Sequence, residues 1–237
     1  MDSLTLSLLL ALGAGSTIPL GAHLASVEHI RQRWLEDEFR HSVIAFGGGV
    51  LMAATTLVLV PEGIHELSML WVIVSFTLGG LGFFLLDRLI AQKGGSVSQL
   101  MAMLLDFIPE AIALGAALAL GKPTGILLAF LIAVQNLPEG FNAFREIKAS
   151  GAHRKSTILI SFWAMILIGP LCAYLGHEVL SQSPQLLGAM MLAAAAGIIY
   201  LTFKDIAPQA ELEAHWAPQL GAVIGFLVGL IGHMLTL

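Results

Sequence analysis

Charge is scarce in this chain. Only 11% of its 237 residues are Asp, Glu, Lys or Arg, where soluble domains carry about 25%. With 57% hydrophobic residues and a mean hydropathy of +0.87, the composition is that of an integral membrane protein, with the lipid bilayer as its solvent. Cysteine is nearly absent, and the single Cys172 excludes an intrachain disulfide and any Cys-based zinc or redox motif. There is no basic stripe, which excludes nucleic acid as a partner. There is no Walker motif, which excludes ATP coupling. No two of the histidines stand at the H-E-x-x-H spacing of an intramembrane metalloprotease. The start, MDSLTLSLLL, lacks the basic n-region of a cleaved signal and reads as the beginning of a first spanning helix.

What the chain does have is long apolar runs. A spanning helix needs about 20 mostly apolar residues, and such runs fall near 4–24, 43–61, 68–90, 98–120, 124–145, 157–177, 185–206 and 216–237. Strand-like alternation is missing. The expected fold is an all-α membrane protein of about eight transmembrane helices, a single domain over 1–237. Lys and Arg set the orientation. With the N-terminus outside, Arg31, Arg33, Arg40, Arg88, Lys93, Arg145, Lys148, Arg154, Lys155 and Lys204 all fall on the cytoplasmic side, and Lys122 alone falls outside. Both termini are then extracytoplasmic. The second run, GGGVLMAATTLVLVPEGIHE, and the seventh, MMLAAAAGIIYLTFKDIAPQAELE, share a plan: small residues, branched apolar residues, a proline, then acids. They run in opposite directions, as in the inverted repeats of many transporters. That leaves the fourth and fifth spans between two halves, a 3+2+3 arrangement.

Those two central spans carry the chemistry. LLDFIPEAIALG and AVQNLPEGFNAF each place a polar side chain four residues before a glutamate that follows a proline: Asp106 and Glu110 around Pro109, Gln135 and Glu139 around Pro138. Side chains four apart share a helix face. By rise per residue, Asp106 and Gln135 lie about 12–20 Å from a membrane surface. An uncompensated carboxylate there costs at least ~3 kcal/mol. Between Gly94 and Phe144 the only basic residue is Lys122, in a loop, so the partner cation is a metal ion, a proton or both. Pro109 and Pro138 cannot donate to the carbonyls of Leu105 and Val134, and such loosened backbone lines polar cavities in membranes.

The same residues carry a resemblance. DFIPEAIALG and QNLPEGFNAF, together with VPEGIHE, GPLCAYLG and KDIAPQAE, resemble the ZIP (Zrt-, Irt-like protein) family of divalent-metal transporters across essentially the whole chain. The resemblance implies eight helices, extracytoplasmic termini, a midplane metal site between the fourth and fifth helices, influx toward the cytoplasm and, in many members, a homodimer. Two positions depart from the family. Where relatives carry His-Asn in the fourth span, this chain has Asp106 and Phe107; where many carry a Glu before the sixth-span proline, it has Gly169. The reading is therefore one main metal position, from Asp106, Glu110, Gln135 and Glu139, with Asn136 as an extra ligand, rather than two. Its ligands are all oxygen, which suits Mn²⁺ and still binds zinc. Zinc, iron, manganese or cadmium-like ions are expected as substrates, with no prosthetic group, in a plasma or inner membrane.

Weaker candidates sit at helix ends, where polar residues are ordinary. They are His65, Glu66, His177 and Glu178 at the outer end; Glu211, Glu213 and His215 at the inner end; and His23, Glu28 and His29 near the inner end of the first span. Thr55, Thr56 and Ser161 are expected to bond their own helices, and His233 to pack. Two other classes compete with transport. One is a metal-sensing or inactive relative. The other is an enzyme, in which Asp106 would need Asp87 or Asp205 as an aspartyl partner.

Overall fold

The computed structural model describes residues 1–28, 33–93, 97–151, 153–212 and 217–236. These are almost entirely helical. In chain order the helices are α1 (Ser3–Val27), α2 (Arg33–Ala54), α3 (Val60–His65), α4 (Met69–Lys93), α5 (Val97–Ala119), α6 (Thr124–Ala149), α7 (Lys155–Met165), α8 (Ile168–Glu178), α9 (Pro184–Leu201), α10 (Ala207–Ala210) and α11 (Ala217–Met234). Among the described residues, seven stretches are long and apolar enough to cross a membrane: Ser3–Val27, Asp37–His65, Met69–Ile90, Thr124–Ala149, Lys155–Gln182, Pro184–Ala210 and Ala217–Met234. They mark an integral membrane protein. The remaining expected run, 98–120, is occupied by α5, a helix of 23 residues that is not one of the seven.

Three of the expected spans are not plain α-helices, and proline explains each. The second contains a π-helical turn, Thr55–Leu59, and the seventh another, Thr202–Ile206. Each turn ends two residues before a proline, Pro61 or Pro208. Without an N–H, and with its ring against the carbonyl four residues back, proline opens the ladder, and one extra residue in the turn absorbs the strain. The two spans thus share one α–π–α profile as well as a sequence plan. The sixth span breaks at Ile166 and Leu167 between α7 and α8, where Pro170 would have bonded Ile166. Pro109 and Pro138, by contrast, lie inside unbroken helices.

Packing divides the helices into two groups. In one, α1 lies along α6, and α5 packs on α8 and α6; in the other, α2 lies along α11, and α9 packs on α4 and α3. Glycine makes the contacts within each group close. A Cβ on Gly21 would collide with the carbonyl oxygen of Leu137, and one on Gly140 with that of Ile18, so α1 and α6 touch backbone to backbone. Gly115 and Gly176 do the same for α5 and α8, and Gly49 and Gly225 for α2 and α11. The groups meet mainly where α2 crosses α6 and α5 crosses α9. At the first of these crossings, Gly47 faces only the Pro138 ring, 3.2 Å from where its Cβ would sit. Among the described residues, no glycine brings the backbone of one group against that of the other.

Candidate metal centre

The centre lies where α5 and α6 adjoin. Glu110, Gln135 and Asn136 are fully buried and Asp106 is 6% exposed. Glu139 is half-buried as a residue, yet both its carboxylate oxygens are sealed from solvent. The Gln135 side-chain nitrogen donates to Glu110 Oε2 at 2.5 Å, tying the two helices at the level of the motifs. Asp106 stands one turn before Glu110 on the same face of α5, and Gln135 one turn before Glu139 on α6. Asp106 Oδ1 accepts the Phe107 backbone N–H at 3.1 Å. Asn136 reaches across to α1, its Nδ2 donating to the Ala14 carbonyl at 3.3 Å. All five residues named from the sequence therefore sit on two adjoining helices in one buried region.

What distinguishes this region is an excess of acceptors. Glu110 Oε1, Gln135 Oε1, Asn136 Oδ1 and both oxygens of Glu139 are buried without a hydrogen-bond partner. Buried polar atoms are nearly always paired, and each orphan costs about 1–3 kcal/mol. Every one of these atoms is an oxygen with lone pairs to give, to a proton or to a cation. Among the described residues, Lys122 pairs with Glu62, Arg145 with Glu28 and Lys204 with Asp87. Among the described residues no three His, Cys, Asp or Glu side chains are drawn into ligating geometry. The arrangement is a set of buried acceptors on two adjoining helices, braced by the Gln135–Glu110 bond.

Phe107 and Gly169, the two departures noted in the sequence, form one packing unit. The buried Phe107 ring comes 3.2 Å from where a Cβ on Gly15 would sit and 3.0 Å from one on Gly169, which would also lie 2.7 Å from the Ala11 carbonyl oxygen. The phenyl ring fills the crossing of α1 and α8 beside the carboxylates, and no side chain fits at position 169. Phe107→Ala is expected to cost about 3–5 kcal/mol, read as a fall in the detergent unfolding midpoint. An unchanged midpoint would mean the ring is not a packing element.

A small cavity of about 60 Å³ adjoins Glu139, lined also by Asn142, Asp205 and Gln209. The sequence reading passed over Asn142 and Gln209. The available signal was spacing: Asn142 stands three residues beyond Glu139 on the same helix face, and its buried Oδ1 is another orphan. The outlying candidates are not gathered. His65 pairs with Glu66 at 3.4 Å, and His177 pairs with Glu178 at 2.7 Å and with Ser3 Oγ at 2.9 Å. Glu28 is taken by Arg145. Glu213, His215 and His29 lie outside the described residues. Thr55, Thr56 and Ser161 bond the carbonyls of Leu51, Met52 and Thr157 in their own helices, and His233 Nδ1 is buried and unpartnered. Asp87 accepts from Tyr200 and Lys204, which leaves it committed elsewhere and not paired with Asp106. Neither a protein-family model nor a curated protein sequence matches the chain.

Proposed function

We propose that the chain is a ZIP-like secondary transporter of divalent transition-metal ions that works by alternating access. The observation that carries this reading is the set of buried, donorless oxygens of Glu110, Gln135, Asn136 and Glu139 between α5 and α6. A lone acid in a membrane helix can sit protonated; five sealed acceptors in one place ask for a cation with several open coordination positions. Asp106 adds a carboxylate to the set. The ligands are oxygen only, so the substrate range covers manganese, iron, zinc and cadmium-like ions, with the harder ions better served than by an imidazole site. The Phe107 ring beside the carboxylates supports one metal position per chain.

In this reading α5 is the eighth span, and the two α–π–α spans are the corresponding helices of an inverted repeat, a 3+2+3 plan. Arg40, Arg88, Arg145, Lys148, Arg154, Lys155 and Lys204 sit at one end of the bundle and Lys122 at the other. The positive-inside rule then makes the Arg145 end cytoplasmic, with both termini outside, in a plasma or inner membrane. The cavity from Glu139 to Gln209 lies on the cytoplasmic side of the centre and supports release in that direction. A homodimer within the bilayer fits the same plan.

Metal entry into liposomes that hold purified protein and a trapped metal-sensitive dye tests the proposal. Saturable entry is expected, with manganese, iron and zinc competing for it, and equilibrium binding of one metal per chain. Folded protein that binds metal but passes none would instead mark a sensor. Folded protein that does neither would remove the metal reading altogether.

A further inference from the structure

The charged cluster at the opposite end of the bundle from Arg145 joins the two helix groups. Helix α5 ends in a tight turn. Gly121 has a φ of 68°, a backbone conformation that favours glycine. Its N–H bonds the Leu118 carbonyl and that of Lys122 bonds the Ala117 carbonyl. This paired closure of a helix end sets Lys122 in a fixed place between α5 and α6. From there the Lys122 ammonium reaches Glu62 Oε2 at 2.6 Å and Glu66 Oε1 at 3.8 Å. Thr124 Oγ1, at the start of α6, donates to the other Glu62 oxygen at 3.1 Å. Glu62 belongs to α3 and Glu66 follows it directly. Both oxygens of one carboxylate from one group are thus held by side chains of the other.

The other strong ion pairs seen among the described residues differ. Arg145–Glu28 joins α6 to the end of α1, and Lys204–Asp87 joins the π turn after α9 to α4; each stays within one group. The Lys122 side chain is 32% exposed, Glu62 16% and Glu66 25%, so this contact is partly shielded from water. His65, beside Glu66, is 80% exposed.

Resting on the transporter reading for its role, we propose that Lys122, with Glu62, Glu66 and Thr124, is a lock that positions the two helix groups with the outer end of the seam closed. Alternating access requires that end to part. Among the described residues, the glycines that meet a neighbouring backbone do so inside the groups, and this clasp ties the groups together at the end that must part.

Distances between spin labels in lipid nanodiscs test it. Met69→Cys, at the start of α4, and Leu120→Cys, beside the turn, are both exposed positions, and Cys172→Ala removes the one native thiol. The parent is expected to give one dominant distance. Lys122→Met and the isosteric Glu62→Gln are each expected to raise a longer-distance population about fivefold. The charge swap Lys122→Glu with Glu62→Lys is expected to return it toward the parent. Unchanged distances in both neutralised variants, or a swap that leaves the long distance in place, would overturn the lock. The readout needs no metal flux. Shifted distances without liposome transport would keep the lock and discard the transporter reading; flux with unmoved distances would do the reverse.

Discussion

Glu110→Gln combined with Glu139→Gln is expected to give a folded protein, at least as stable as the parent without metal, that neither binds nor moves metal. Each carboxylate in the bundle costs about 3 kcal/mol or more when charged and unpaired, and glutamine keeps the shape without the charge. The Gln135 amide that donates to Glu110 finds an equivalent carbonyl oxygen on the substituted side chain. The new amide N–H groups can serve oxygens that have no donor, such as Gln135 Oε1. Stability in metal-free detergent is therefore expected to hold or rise by roughly 1–3 kcal/mol. The metal-dependent part behaves oppositely. A ligand at a hundred times its Kd adds about 2.7 kcal/mol to the parent, and that increment should vanish in the variant along with liposome flux. Thermal unfolding with and without Mn²⁺ or Zn²⁺ reads both arms. A variant that keeps the metal-induced rise would show that the glutamates are not the ligands. One that collapses without metal would show that they serve the fold.

Gly140→Val is expected to prevent assembly of α1 with α6, and Gly140→Ala to weaken it by about 3 kcal/mol, the upper end of ordinary overpacking. The reason is that the atom in the way is the Ile18 carbonyl oxygen, which belongs to a helix backbone and cannot swing aside as a side chain can. Gly21, facing Leu137 from the other helix, makes the crossing reciprocal, so neither helix can yield without moving as a whole. The centre should feel this too: Asn136 holds the Ala14 carbonyl across the crossing at 3.3 Å, and parting the helices breaks that bond. Gly13→Ala is the control, with nothing within 4 Å of the added carbon and an expected change within about 0.5 kcal/mol. Equal unfolding midpoints for Gly140→Ala and Gly13→Ala would contradict the backbone contact.

The apolar runs were legible because lipid demands them: helix length and residue type are set by the bilayer before any packing is known. Asp106, Glu110 and Glu139 stood out for a related reason, since acids inside apolar runs without nearby bases are conspicuous in a chain with so little charge. What the sequence hid depends on partners distant along it. The four-residue spacing puts Asp106 beside Glu110, yet nothing in it says that the Gln135 amide would bond Glu110, or that Asn136 would turn to α1. Phe107 and Gly169 looked like two separate losses of a ligand, and only the crossing of α1 and α8 shows one filling the space the other leaves. Proline was a partial guide. Pro61, Pro170 and Pro208 sit beyond π turns or a break, while Pro109 and Pro138 sit in unbroken helices, and local sequence does not separate the two outcomes.

Helix α5 has a consequence for how the protein is made. As the proposed eighth span, it would bring Asp106 and Glu110 into the membrane together, and near a helix centre each acid adds about 2.5–3.5 kcal/mol to the free energy of leaving the insertion machinery for lipid. As a lone segment it is a poor candidate for entry. Helix α6 follows after only the residues from Leu120 to Pro123, and the Gln135–Glu110 bond gives the pair a reason to leave together. The acids that would let this chain hold a metal thus make α5 depend, during biosynthesis, on the helix synthesised next.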